Sequence, residues 1–207
     1  MVLIYPPPPT RNITPKLAVL ESGRAIKRIF APTSYGSTAT GFRYYGPLHR
    51  FDHQKDGKPT VAPDRGIIYA GFSLSCCLIE VFGDDGVIDI KQQKIAKITL
   101  TQSLKLLDLR GTSAWDAGSV VAMTTDGRRR LTQAWSRYFY EHPELYGQID
   151  GLIFNNAHNG EEALALYERA ATQMASAQTV VQALDAPALR NKLFVVANRL
   201  NLLVEIN

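Results

Sequence analysis

Three side chains suited to nucleotide chemistry follow one another between residues 48 and 80. Arg50 comes first, Tyr69 follows within a short apolar run, and Glu80 lies eleven residues beyond the tyrosine. An arginine can hold phosphate oxygens through two parallel hydrogen bonds, and a tyrosine can lie against a planar ring. A carboxylate can stabilise positive charge that develops at a sugar carbon. Together these residues suit an anionic, ring-bearing nucleotide whose reaction develops positive charge.

The elements that must position these side chains are a strand, a helix and two loops. The apolar run over residues 67–70 predicts a strand, and Ser73 is a suitable N-cap for a helix over residues 74–81. Loops are predicted over residues 32–46 and 54–66, where glycine, proline and polar residues concentrate. The tyrosine is therefore expected on the strand and the glutamate near the end of the helix.

The rest of the chain mixes strand and helix patterns without a regular βαβ repeat. Residues 16–30 combine both characters, and the run over 26–30 resembles a half-buried strand. Further strands are predicted over residues 95–101, 104–109, 151–154, 163–167 and 202–206, and helices over 112–123, 128–141 and 188–200. This order predicts an α+β fold with a mixed, largely antiparallel sheet and flanking helices.

Length and composition indicate one well-buried core. The chain has 207 residues, 45% of them hydrophobic, and no linker-like stretch interrupts its middle. We expect a proline-rich N-terminal arm over residues 1–15 and a single domain over residues 16–207. No apolar stretch reaches the roughly 20 residues of a membrane span, and no signal peptide is indicated.

Cysteine content indicates the redox compartment, and net charge limits the classes of binding partner. Cys76 and Cys77 are adjacent, without the spacing of a disulfide framework or a metal site, so a reducing cytoplasm is expected. The net charge of +4 fits an anionic small molecule, an acidic protein or nucleic acid. Nucleic acid is the weakest of these, because the densest basic run, Arg128 to Arg130, lacks interleaved aromatic residues. That run is interpreted as a solvated helix face, with a docking or phosphate site as the alternative.

Several short segments form a recognisable set between residues 26 and 168. They are KRI at 27–29, HRFD at 49–52, IIYA at 67–70, Glu80, LLDL at 106–109, TQAW at 132–135 and DGLIF at 150–154. This set resembles the RES-domain family, named for its arginine, glutamate and serine and best known as toxins of bacterial toxin–antitoxin pairs. The resemblance covers most of the chain.

The resemblance implies a fold similar to ADP-ribosyltransferases and an enzyme that attacks NAD+ at the nicotinamide–ribose bond. The ADP-ribose would pass to water, phosphate or a protein. NAD+ is then a substrate, and no cofactor or metal is expected. An antitoxin protein is the implied partner, and the N-terminal arm could also cross to a neighbouring subunit in a homo-oligomer.

The resemblance also implies roles for individual residues. Glu80 would face the ribose, either bonding its 2′-hydroxyl or guiding the acceptor, and Arg50 would hold the pyrophosphate. Tyr69 would stack near the nicotinamide or bond a ribose hydroxyl, and Arg28 is a candidate second phosphate ligand. Each residue has an ordinary alternative: a solvent-facing or capping glutamate, an arginine paired with Asp52, a core tyrosine and an edge-strand arginine.

Two features depart from the family pattern. The interval between the arginine and the tyrosine is long, as though residues 54–66 were inserted. Where the family has a serine, this chain has an asparagine: Asn156 aligns with the serine, and Asn155 is the alternative. An asparagine can hold the nicotinamide amide or a ribose hydroxyl, so both are candidate substrate-binding residues. The alternative is a RES-like binding or regulatory module with impaired catalysis.

Overall fold

The computed structural model of the protein describes residues 3–34, 36–124 and 127–205. Its strands are β1 Leu17–Leu20, β2 Ala25–Phe30, β3 Tyr45–Gly46, β4 Thr60–Val61, β5 Ile67–Gly71, β6 Val87–Asp89, β7 Lys94–Thr99, β8 Leu104–Asp108, β9 Gly151–Asn155, β10 Glu162–Tyr167, β11 Gln178–Ala183 and β12 Leu203–Glu205. Its α-helices are α1 Leu74–Phe82, α2 Ser113–Asp116, α3 Arg129–Glu141, α4 Pro143–Tyr146, α5 Ala171–Ser176 and α6 Pro187–Arg199.

Eight of the strands form one sheet, in the order β1-β8-β9-β10-β5-β2-β7-β11. Every neighbouring pair in it is antiparallel except β8 and β9, which are parallel. Two small sheets, β3–β4 and β12–β6, flank it. The predicted α+β fold with a mixed, largely antiparallel sheet is confirmed.

The core lies on both faces of the large sheet because side chains alternate along each strand. On one face, Ile67 and Tyr167 pack with Trp135 and Phe139 of α3. On the other, Ile68 and Leu166 pack in a separate cluster with Met174 of α5. A third cluster joins α1 to α6. The two central strands, β5 and β10, are therefore covered on both sides and provide a rigid base for a site.

Two predictions about local structure are wrong. The helix expected over residues 112–123 is broken: α2 ends at Asp116, and a separate 3₁₀ turn covers Val121–Thr124. Gly118 lies between them with φ of +94°, a conformation that an α-helix excludes. The strand expected over residues 26–30 is confirmed as β2, but the helical character expected in residues 16–30 is not found, because the earlier part of this stretch forms strand β1.

The proline-rich segment at the N-terminus packs against α3 and the α2 region. Ile4 is buried in the same cluster as Trp135, and the Trp135 indole donates a hydrogen bond of 2.8 Å to the carbonyl of Tyr5. The Arg11 guanidinium stacks 3.6 Å from the centre of the Trp115 ring. In the described part of the chain, no helix combines the length and apolar character needed to cross a membrane.

Candidate active site

The sheet opens between strands β2 and β5. Strand β2 pairs with β7 over six residue pairs but with β5 only at Lys27 and Gly71. Beyond that pair the two strands diverge, and a cavity of about 470 Å³ lies between them. Arg28 to Ala31 line one side of it and residues 67–71 line the other. The size falls within the usual range for small-molecule sites, about 300–1,000 Å³.

The charged lining of this cavity is mainly cationic. Its arginines are Arg28, Arg43, Arg50 and Arg129, and its carboxylates are Glu80 and Asp84. Four guanidinium groups at one cavity favour an anionic ligand such as a phosphate or pyrophosphate. Four of the sequence-predicted site residues therefore line the same cavity: Arg28, Arg50, Tyr69 and Glu80.

The wall that carries Arg50 is organised by a neighbouring carboxylate. Asp52 is fully buried and accepts two hydrogen bonds of 2.8 Å from Nη2 of Arg43. It also accepts the backbone N–H groups of Leu48 and His49, which closes a tight turn around Arg50. Asp52 is thus paired with Arg43, a residue that the sequence did not single out.

Tyr69 connects this turn to strand β5. Its hydroxyl donates to Oδ1 of Asp52 at 2.9 Å and accepts the backbone N–H of Phe51 at 3.0 Å. Burial and the adjacent carboxylate raise the pKa of Tyr69, so the hydroxyl stays protonated. The ring lines the cavity, but the hydroxyl is already occupied in holding the turn that bears Arg50.

Glu80 reaches the cavity from α1. As predicted, Ser73 caps this helix: its side chain accepts the N–H of Cys76 at 2.8 Å. Glu80 is the one charged residue of the helix sequence LSCCLIEVF, and it makes no hydrogen bond or ion pair with the described residues of the chain. The protein around it desolvates the carboxyl and raises its pKa, whereas the positive charges of His158 and Arg50 lower it.

The two cysteines of the same helix also line the cavity. Burial raises the pKa of both Cys76 and Cys77 to about 12. They are neutral thiols at physiological pH and therefore poor nucleophiles. Among the α1 residues that line the cavity, Glu80 is the one that carries a carboxyl group.

Arg28 lies at the mouth of the strand split. Its Nη1 donates to the carbonyls of Thr38 and Gly41, at 2.9 and 2.8 Å. Burial, together with the charge of Arg43, lowers the pKa of Arg28 to about 10. Arg28 remains a cation, and those two bonds fix its guanidinium at the cavity wall.

The asparagines expected to bind substrate do not line the cavity. The Asn155 side chain donates to the carbonyl of Gly160 at 2.8 Å. Buried Asn156 accepts the backbone N–H groups of His158 and Asn159 at 3.0 and 2.9 Å. Side chains of this kind commonly hydrogen-bond the backbone two or three residues on. Both amides therefore shape the β9–β10 turn.

That turn places His158 at the cavity instead. Its Nε2 lies 3.8 Å from Oδ1 of Asp84, just beyond the end of α1. A β-carbon at Gly83 would lie 3.0 Å from two ring atoms of His158, so the glycine allows this close approach. The sequence signal for His158 was only its position two residues after Asn156.

Arg129 approaches the same rim from α3. It belongs to the basic run at the start of this helix, and its Nη2 lies 3.8 Å from Oδ2 of Asp84. The interpretation of the run as a solvated face therefore holds only in part, because Arg129 lines the cavity. The rim joins Glu80 and Asp84 to the guanidinium of Arg129 and the imidazole of His158.

The fold and site define an α+β protein with an arginine-lined cavity of nucleotide size, at which Glu80 has no hydrogen-bonding partner among the described residues. A family model, the RES domain, matches residues 24–188. The chain belongs to the RES-domain family, as its motifs indicated.

Two further similarities accompany this assignment. The probable toxin y4kH of Sinorhizobium fredii is 32% identical over 89 residues, which are 41% of this chain and 65% of that protein. The chain thus matches slightly less than two thirds of this curated relative. A chain in the crystal structure of the M. tuberculosis MbcT–MbcA toxin–antitoxin complex matches with a TM-score of 0.49 and 16% identity. That match covers 86% of this chain and 92% of the other.

Proposed function

We propose that this chain is an NAD+-consuming toxin that cleaves the nicotinamide–ribose bond. The observation that carries the proposal is Glu80, a carboxylate without a partner among the described residues, at a cavity lined by four arginines. Membership of the RES family and the similarity to a probable toxin support the same function. We assign the activity to residues 16–207 acting as one domain.

Binding of NAD+ would use the arginines that line the cavity. Its pyrophosphate carries two negative charges, and a guanidinium can bond phosphate oxygens through two parallel N–H groups. Arg50 is held in place by the turn around Asp52, and Arg28 is fixed by two carbonyls. We assign the pyrophosphate to these two residues and the nicotinamide side of the cavity to the ring of Tyr69.

The chemistry would depend on Glu80. When the bond between ribose C1′ and the nicotinamide nitrogen breaks, its electron pair leaves with the nicotinamide, which departs as a neutral molecule. Positive charge then develops on the ribose, and an ionised carboxylate beside it stabilises the transition state. The acceptor oxygen bonds to C1′ and, if it is water, releases a proton to solvent.

The acceptor and the protein partner complete the proposal. Water, phosphate or a protein side chain could each take the ADP-ribose, because the cavity is open to solvent at the rim formed by Asp84, Arg129 and His158. An antitoxin would be needed to protect the host cell from a toxin of this kind. Substrate and antitoxin would both be met in the cytoplasm.

Incubation of purified protein with NAD+ tests the proposal, with nicotinamide release followed by chromatography. We expect wild type to release nicotinamide and Glu80→Ala to lose about 10²–10³ in rate. Parallel reactions with and without phosphate would identify ADP-ribose or its phosphorylated form as the product. If NAD+ stays intact in every reaction, including those with added cell extract as a source of acceptors, the chain is a binding module.

A further inference from the structure

The edge strand β11 is exposed along its length. It pairs with β7 over six consecutive residues, and within the described chain its other edge meets no strand. Val180 is 67% exposed and Val181 43%, although the two side chains point to opposite faces of the sheet. Both faces and one edge of this strand are therefore open to solvent.

Strand β11 also lacks the features that normally protect an edge. Natural proteins blunt such strands with charges, proline, bulges or short length. The sequence of β11, QTVVQA, has no charge and no proline, and its register with β7 is uninterrupted. The opposite edge differs: β1 has four residues and follows Pro15 and Lys16, whose side chain pairs with Asp116.

The hydrogen-bond pattern shows which backbone groups of β11 face outward. Just beyond the strand, the N–H of Leu184 donates to the carbonyl of Gln93. In the same antiparallel register, Val180 lies opposite Lys97 and also directs its N–H and C=O toward β7. The alternate residues, Thr179 and Val181, direct theirs outward.

A second copy of the same strand could form hydrogen bonds with the outward N–H and C=O groups of Thr179 and Val181. If a two-fold axis passes beside Val180, then Thr179 faces Val181 of the second copy, and the outward N–H and C=O groups of each pair can bond. Val180 then faces Val180 of the second copy in a close, non-hydrogen-bonded pair. Gln178 faces Gln182 of the second copy. The pairs are thus valine with valine, threonine with valine and glutamine with glutamine, with no like charges opposed.

We propose that the protein forms a two-fold dimer by antiparallel pairing of β11 with β11 of a second copy, centred on Val180. Such an interface is closed, because the same edge is used on both chains. None of the residues of β11 lines the cavity, so the dimer leaves both sites accessible. The proposal is independent of the activity proposed above.

Charge placed at the two-fold axis tests the proposal. In Val180→Lys, two ammonium groups would face each other, and in Val180→Glu, two carboxylates. Wild type should sediment as a dimer, each variant should sediment as a monomer, and an equimolar mixture of the two should sediment as a dimer. Val195→Lys is the matched control: Val195 is 70% exposed on α6, and this variant should remain dimeric.

Circular dichroism of each variant checks that the fold is retained, as expected for substitutions of an exposed side chain. The proposal is overturned if wild type is monomeric across the accessible concentration range. It is equally overturned if both charged variants remain dimeric, or if mixing them fails to restore the dimer.

Discussion

Two carboxylates at the site, one behind the cavity wall and one lining the cavity, have opposite environments. Asp52, on the loop wall, is fully buried and accepts bonds from Arg43, Tyr69 and two backbone N–H groups. Glu80, on the helix wall, is exposed to the cavity and has no hydrogen-bonding partner in the described chain. Where two acids of one site have such different surroundings, their roles differ as well. Asp52 maintains the architecture, and Glu80 is available for chemistry.

The largest effect that this contrast predicts is on stability. Asp52→Ala would leave Arg43, the Tyr69 hydroxyl and two N–H groups without their acceptor. We expect a loss of about 3–5 kcal/mol in the free energy of unfolding, as for removal of one member of a buried pair. Glu80→Ala is the matched control and should stay within about 0.5 kcal/mol. Urea denaturation measures both, and equal losses would remove the distinction.

A smaller effect is expected from the Tyr69 hydroxyl, which joins the turn around Arg50 to strand β5. Tyr69→Phe keeps the ring but removes the group between Asp52 and the N–H of Phe51. Leaving these groups unsatisfied should cost about 1–3 kcal/mol of stability. NAD+ affinity should fall as well, because the turn that carries Arg50 loosens. Calorimetric unfolding with NAD+ titration would detect both, and unchanged affinity would show that the turn does not depend on the hydroxyl.

The smallest predicted effect is on pH dependence. The pKa of Glu80 is raised, and the proposed mechanism requires its ionised form. Activity should therefore fall with decreasing pH earlier than for an ordinary glutamate. His158 lowers that pKa, so His158→Gln should move the acid limb of kcat to higher pH. Asp84 raises it, so Asp84→Asn should move the limb to lower pH. Shifts in the same direction for both variants would contradict this electrostatic account.

The parts of the site predicted from sequence are those set by neighbouring residues. Strand β5, the Ser73 cap and the position of Glu80 on α1 follow from periodicity and capping within fifteen residues of one another. The resemblance to the RES motifs added the expectation that Arg50 belongs to the same site as Tyr69 and Glu80. The overall α+β class followed from the order of the patterns.

The parts that could not be predicted depend on contacts between distant segments. The role of Arg43 requires Asp52 to be folded back against it, and His158 reaches Glu80 only because the β9–β10 turn packs beside α1. Asn156 is a candidate substrate-binding residue because it aligns with the family's serine, but in the fold its side-chain oxygen accepts the nearby backbone N–H groups of His158 and Asn159. Strand β11 was missed because a strand exposed on both faces has no apolar alternation.

The separate roles proposed for Arg50 in binding and for Glu80 in chemistry are tested most directly by measuring NAD+ binding to Glu80→Gln, with and without Arg50→Gln. Glu80→Gln should bind NAD+ without consuming it, which permits calorimetric titration. Adding Arg50→Gln should weaken binding by about 10–100-fold, because a charge-assisted hydrogen bond contributes about 1.5–3 kcal/mol. If Glu80→Gln alone abolishes binding, or if Arg50→Gln leaves the affinity unchanged, the walls do not have the separate roles assigned to them.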